Sequence, residues 1–281
     1  MLTIHLHASP EAAFYVNSFI LEGEKSLVIV DTQFLVSSAA AFAAMIASLH
    51  KPVAAIIITH PHPDHYNGLP QIAALAPAAP IYATEATIAG ITATQAAKRQ
   101  TWLPVHGDDY PKTDAVPNTI LHEGARLEID GIVLEVSDLG PAEASDNIAI
   151  FLPQANALLA SDFIYSACHP WLAEMRSLQW LAALDQLRRR FGGIGAVYPG
   201  HGPAGDIGLI EAQQSYIRHV RALVWDHLAA SATLSDDAVS AIHAALAHSH
   251  KDWPLAALID LNSRALAQEL LAEQRGGGVG A

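Results

Sequence analysis

Residues 54–59, AAIIIT, run directly into His60-Pro61-His62-Pro63-Asp64-His65, and this stretch decides how the chain is read. The first six residues are apolar and largely β-branched, without polar alternation, the pattern of a strand covered on both faces. Three imidazoles and one carboxylate then leave the strand end within six residues. On so short a loop they can converge on a small volume, and imidazole nitrogen and carboxylate oxygen are donors that zinc, iron and manganese accept. Pro61 and Pro63 stiffen the loop and lower the entropy lost when the donors are fixed. A polar turn that is rich in histidine by chance rarely reaches this density of ligand-type residues.

Outward from this point, strands and helices alternate. Residues 14–21 and 27–30 read as strands that turn at Gly23, and residues 36–49 as a helix ended by Pro52. After the histidine run come a helix over 66–76, a strand over 81–83 and a helix over 85–98. Residues 100–118 hold Pro104, Pro111 and Pro117 with Gly107, Trp102 and Tyr110, so a long irregular loop is expected, either a lid or a solvated connection. A hairpin follows, 126–129 and 132–136 about Asp130-Gly131. Strands over 148–152 and 157–160, a helix over 177–190 and a short strand over 196–198 come next. Helices near 207–230, 235–248 and 255–274 precede a GGGVGA tail, which is expected to be disordered. The doubled pattern fits an α/β (α+β) sandwich over residues 1–210, with a helical extension over 211–281 packed on it. Ile217, Val220, Leu223 and Val224 recur at helical spacing, suited to core packing, to a homodimer face or to a roof over a site.

The chain has 281 residues, 51% hydrophobic and 15% charged, which excludes disorder and allows a large core. Fifteen Lys and Arg against 28 Asp and Glu leave a net charge of −13. That balance repels phosphate backbones and anionic lipid, so the expected partner is a small-molecule substrate rather than nucleic acid or a membrane surface. A single cysteine, Cys168, cannot form an internal disulfide or a thiolate cluster. The N-terminal residues lack the basic and apolar regions of a signal peptide, and no apolar run reaches about 18 residues, so a cytoplasmic location is expected.

HPHPDH matches the H-x-H-x-D-H signature of the metallo-β-lactamase-fold hydrolases, and the chain resembles that family in the order of its other motifs. Val28-Ile29-Val30-Asp31-Thr32 stands where the family has a strand ending in Asp. GPAEASDNIAIFLP (residues 140–153) stands where a further ligand precedes a strand. Leu158-Leu159-Ala160-Ser161-Asp162 supplies the carboxylate after a strand, and Tyr198-Pro199-Gly200-His201-Gly202 the last histidine. The resemblance covers roughly residues 14–210 and implies a four-layer αββα sandwich with a dinuclear site. It places one metal ion on His60 and His62 and the other on Asp64, His65 and His201, with Asp162 bridging and Asp31 orienting the histidine loop. Two divalent cations, zinc foremost with iron or manganese possible, would activate a bridging hydroxide near neutral pH and polarise the scissile carbonyl.

The chain departs from the family at the third ligand of the first metal, where most members carry His and the register here gives Glu143. Two readings stay open: Glu143 ligates, making a harder and more negative site, or it does not and the first site is weak or vacant. His106 and His122 are read as surface or loop histidines. Tyr165 lies three residues after Asp162, as in the related acyl-homoserine lactonases, where it hydrogen-bonds the substrate carbonyl; packing against the core is the alternative. Asp64, Tyr165 and His169 form the candidate catalytic set, His169 as a proton donor in the same cleft. Cys168 has no activating base beside it and is not read as a nucleophile. Trp102, Tyr110 and Trp171 are candidate cleft walls, and few fixed charges among them suit an uncharged ester or lactone. Arg188, Arg189 and Arg190 read as a solvated helix end.

The expected function is metal-dependent hydrolysis of an ester, lactone, thioester or related acyl bond, with β-lactam hydrolysis a lesser expectation in a chain without an export signal. A di-iron or mono-iron redox enzyme of the same fold is the alternative, although flavin-linked reductases need a domain for which this chain has no length. A non-catalytic metal-binding protein is the third class.

Overall fold

The computed structural model describes residues 2–230 and 233–276. Its first sheet comprises β1 (Thr3–Ala8), β2 (Asn17–Glu22), β3 (Leu27–Val30), β4 (Val53–Ile57), β5 (Ile81–Ala83) and β6 (Thr119–Ile120), adjacent in that order. β1, β2 and β3 pair antiparallel; from β3 to β6 the pairing is parallel. Parallel neighbours need crossovers, and helices supply them: α1 (Val36–Ser48), then α2 (Pro63–Tyr66) with α3 (Leu69–Ala73), then α4 (Glu85–His106). The second sheet has β7 (Arg126–Ile129), β8 (Ile132–Asp138), β9 (Ile148–Leu152), β10 (Ala157–Tyr165) and β11 (Ala196–His201) as sequential neighbours. Its one parallel pair, β10 with β11, is bridged by α5 (Ser177–Arg190). α6 (Gly208–Ala230), α7 (Asp236–Ser249) and α8 (Leu258–Gly276) complete the described chain.

Period-two alternation divides each strand between two cores. Phe19, Leu21, Val28, Val30 and Ile57 point inward to meet Leu134, Val136, Ile150 and Leu159 of the second sheet. Their neighbours Ile20, Ile29 and Ile56 point outward onto Phe42 and Ile46 of α1 and Leu69 of α3. On the far side Leu158, Ala160, Phe163 and Val197 pack under Trp180 and Leu184 of α5, and the same apolar cluster continues into Ile217 and Val224 of α6 and Leu266 of α8. These are the layers of an αββα sandwich. Ile217, Val220 and Val224 are therefore core residues, and position 210 falls within α6 rather than between elements.

Several boundaries differ from the sequence reading. β1 has no counterpart in the sequence pattern; it is an edge strand whose six residues are all at least partly exposed, so its apolar signal is weak. The helix read over 66–76 is two short helices, broken where Gly68 packs so close to the Thr32 carbonyl that a Cβ would collide with it. α4 continues through Pro104 to His106, which shortens the expected 100–118 loop. Proline removes one helical hydrogen bond there, but Trp102 packs edge-on against Phe14 and Phe34, and His106 against Phe34, which holds the last turns in place. Tyr110 is buried behind Phe34 and is not a cleft wall. Most of the glycine tail, residues 277–281, lies outside the described residues. Among the described residues no helix is long and apolar enough to cross a membrane.

Candidate metal centre and cleft

The centre is assembled where the C-terminal ends of β4 and β10 meet. β4 delivers His60, and its continuation places His62 just before α2, with Asp64 and His65 in that helix. Asp31, at the end of β3 with φ 59°, secures this loop: its carboxylate accepts from the Thr59 amide and hydroxyl, both at 2.9 Å, and lies 2.8 Å from His65 Nδ1. In β10 the pairing register shifts at Ser161, whose φ is 47°, a bulge that turns Asp162 toward the centre. Ser161 Oγ donates to Thr59 Oγ1 at 2.8 Å and lies 3.2 Å from His60 Nδ1. β11 brings His201, and the glycines around it have separate reasons. A Cβ at Gly200 would run into Asp162 Oδ1; Gly202 has φ 82° and lies against the Ser166 carbonyl.

Two groups of side chains have donor atoms within 4.8 Å of one another: His60, His62, Glu143 and Asp162, and beside them Asp64, His65 and His201. Asp162 lies between them, 3.7 Å from His60 Nε2 and 3.2 Å from both His65 Nε2 and His201 Nε2. Glu143, on the loop before β9, has Oε1 at 3.0 Å from His62 Nδ1 and Oε2 at 3.9 Å from His60 Nε2. Asp64 Oδ2 is 3.3 Å from His201 Nε2. His106 and His122 lie apart, His106 against Phe34 and His122 exposed after β6.

This donor set fits cations. His60, His65 and His201 each spend Nδ1 on the protein (on Thr59, Asp31 and the Phe14 carbonyl) and turn Nε2 to the centre. Four buried atoms there, His60 Nε2, His65 Nε2, Glu143 Oε2 and Asp162 Oδ1, have no hydrogen-bond partner. Buried polar atoms are seldom left unmatched, and these share one volume. Burial opposes protonation of His62 and His201, yet Glu143 raises the first to about 9 and Asp162 the second to about 10. The carboxylates thus call for positive charge at their midst, which divalent cations would supply.

Tyr165 ends β10 stacked on His201, ring centroids 4.4 Å apart. Its hydroxyl donates to Asp162 Oδ2 at 2.7 Å, with Glu143 Oε1 at 3.4 Å. Burial, and then the negative charge of Asp162, pushes the phenol well above its ordinary range, so it is a protonated donor at neutral pH. Above the centre opens a cavity of about 240 Å³. Its floor is His62, Asp64, Glu143, Tyr165 and His201, and Phe14, Phe34 and Trp102 wall one side. Trp171 joins Leu255 and Leu258, from the segment before α8 and its first residue, so the start of α8 contributes to the cavity wall.

His169 is not brought to this cavity. Its Nδ1 lies 2.7 Å from Tyr216 Oη, among the rings of His250 and Trp253, and burial lowers the ring to about 4. Asn262 explains the divergence from Trp171, two residues on: its amide donates to the Pro170 carbonyl and accepts from the Leu172 amide, both at 2.8 Å, pinning the turn beneath α8. Asn262→Ala is expected to lower stability by about 1–3 kcal/mol, read from urea unfolding, because it strands two buried backbone groups. Cys168 is buried and its thiol is pushed up to about 12, which keeps it inert. Arg188, Arg189 and Arg190 are exposed. Two cleft residues escaped the sequence reading: Glu174, whose Oε1 is 3.3 Å from His62 Nε2, and Lys98 of α4. Neither belongs to a local motif, so only the tertiary fold reveals them.

The metallo-beta-lactamase superfamily model matches residues 12–209, and the chain belongs to that superfamily of metal-dependent hydrolases. It is 26% identical over 198 residues to a type 2 metallo-beta-lactamase of Bacillus cereus, covering 69% of this chain and 70% of the relative. A linear primary-alkylsulfatase of Pseudomonas sp. is 25% identical over 202 residues, 60% of this chain and 38% of the relative. The solved structure of a metallo-beta-lactamase family protein from Thermus thermophilus superposes with a TM-score of 0.69 at 22% identity, covering 98% of this chain and 94% of its own. The shared fold thus extends across the C-terminal helices.

Proposed function

We propose that the protein hydrolyses an acyl bond of a small molecule, an ester or lactone foremost and a thioester or related bond next, with two divalent cations, zinc foremost, on His60, His62, Glu143, Asp64, His65, His201 and a shared Asp162. The observation that carries this reading is the convergence of unpartnered buried donors at the base of an apolar cavity, with a protonated tyrosine beside them. When bound, the cations would supply Lewis acidity and a water acidified toward neutrality. Asp162, fixed by the Tyr165 hydroxyl, holds the two ligand groups in register. Tyr165 Oη is placed to turn its proton from Asp162 toward an oxyanion developing on the substrate carbonyl. The aromatic walls exclude water and seat the acyl chain, and Leu255 and Leu258, just before and at the start of α8, close the cavity from the C-terminal side.

The test combines metal analysis of purified protein by plasma mass spectrometry with a p-nitrophenyl ester assay. Two equivalents of metal per chain are expected, with hydrolysis that falls to background after chelation and returns on adding Zn²⁺. Activity indifferent to chelation would overturn the reading.

A further inference from the structure

Lys98 is the single lysine or arginine among the residues that line the cavity. It lies on the face of α4 that also presents Thr101 and Trp102, three and four residues further on, so a cation and an indole share one wall. Its ammonium has three donors, and Nζ donates to the Pro61 carbonyl at 3.1 Å. Among the described residues no carboxylate oxygen lies within 4.0 Å of it. The acidic groups facing it are otherwise engaged: Asp64 with His201, Glu143 with His62, and Glu174 with His62 and, at 3.9 Å, Arg176. Burial lowers the ammonium's pKa, opposed by Asp64, Glu174 and Glu143. A half-buried cation with unused donors, lining a cavity beside the apolar Trp102 wall and paired with no carboxylate at contact distance, gains free energy when an anion meets it.

We propose that Lys98 is a specificity-determining residue that binds a carboxylate on the substrate, so that the preferred substrate is a small anionic ester or lactone with a short apolar spacer between its acyl carbonyl and that carboxylate. This rests on the hydrolase reading and replaces the uncharged substrate expected from sequence. The spacer runs past Trp102, and the cavity of about 240 Å³ limits its length.

The matched probes are mono-p-nitrophenyl glutarate and p-nitrophenyl pentanoate, which share acyl length and leaving group and differ by a terminal carboxylate for a methyl. Each consumes one water and gives the acid and p-nitrophenol. Wild type is expected to favour the glutarate ester by about tenfold or more in kcat/KM, the scale of a hydrogen bond to a charged group. Lys98→Met should bring the ratio near one, and Lys98→Arg should keep part of it. Equal ratios in wild type and Lys98→Met would overturn the inference, leaving Lys98 a counter-charge to the acidic cluster, while the hydrolase reading stands. Calorimetric titration of the protein as purified with glutaramate and with pentanamide, which differ by a terminal carboxylate for a methyl, reads the same subsite without turnover. Glutaramate binding about tenfold tighter in wild type, but not in Lys98→Met, is the supporting result. Equal affinities in wild type would overturn the inference even where neither ester is cleaved.

Discussion

Asp162→Ala is expected to lower ester hydrolysis by about 100-fold to 10,000-fold, the equivalent of several kcal/mol of lost transition-state stabilisation, and to release at least one metal equivalent. The Asp162 carboxylate faces both donor groups: His60 on one side, His65 and His201 on the other, each within 3.7 Å of it. Burial disfavours its charge, but His65, His201 and His60 outweigh burial and hold the carboxyl well below the ordinary range, so it is anionic at any working pH. Removing it leaves the Tyr165 hydroxyl without its 2.7 Å acceptor. Breaking a buried charged pair costs about 3–5 kcal/mol, so chelator-treated Asp162→Ala should also unfold at lower urea than chelator-treated wild type. Asp162→Asn keeps the shape beside Gly200 and separates loss of charge from loss of packing. Unchanged hydrolysis with unchanged metal content in either variant would sink the dinuclear assignment.

The parts of this centre that could be read from sequence are those packed into one local segment. HPHPDH carries four donors because a single strand end and the helix after it present them together, and a strand with no polar alternation announces its own burial. Gly-His-Gly is legible for a steric reason: Gly200 must let β11 pass the Asp162 carboxylate, and Gly202 needs a left-handed φ. Glu174 and Lys98 are illegible because nothing near them in sequence marks a ligand. One reaches His62 from a loop 112 residues away, and the other sits on a mostly solvated helix. His169 was misplaced because proximity in sequence to Asp162 carries no information about the turn that Asn262 pins. The 100–118 segment misled for the opposite reason: Pro104 is a local breaker that the Phe14, Phe34 and Trp102 cluster overrides.

Glu143→Ala separates the two roles that remained open for that residue. The carboxylate is wholly buried with His62 Nδ1 at 3.0 Å and Tyr165 Oη at 3.4 Å, inside the donor group that includes His60. The salt bridge to His62 engages Oε1 and leaves Oε2 buried without a hydrogen-bond partner, an unmet acceptor that a cation would satisfy. Burial raises the carboxyl to about 7 against the pull of His62, a free-energy cost that a bound cation would offset directly. Metal content is therefore expected to fall from two equivalents to about one in Glu143→Ala, with the remaining ion on Asp64, His65 and His201. Glu143→Gln, which keeps the volume and an oxygen donor but loses the charge, should fall between them in metal affinity. The same site with a neutral imidazole, Glu143→His, should hold the first cation while shifting its preference from harder ions toward zinc. Two tightly held equivalents in Glu143→Ala would remove Glu143 from the ligand set and leave His60 and His62 to bind the first ion with Asp162 alone.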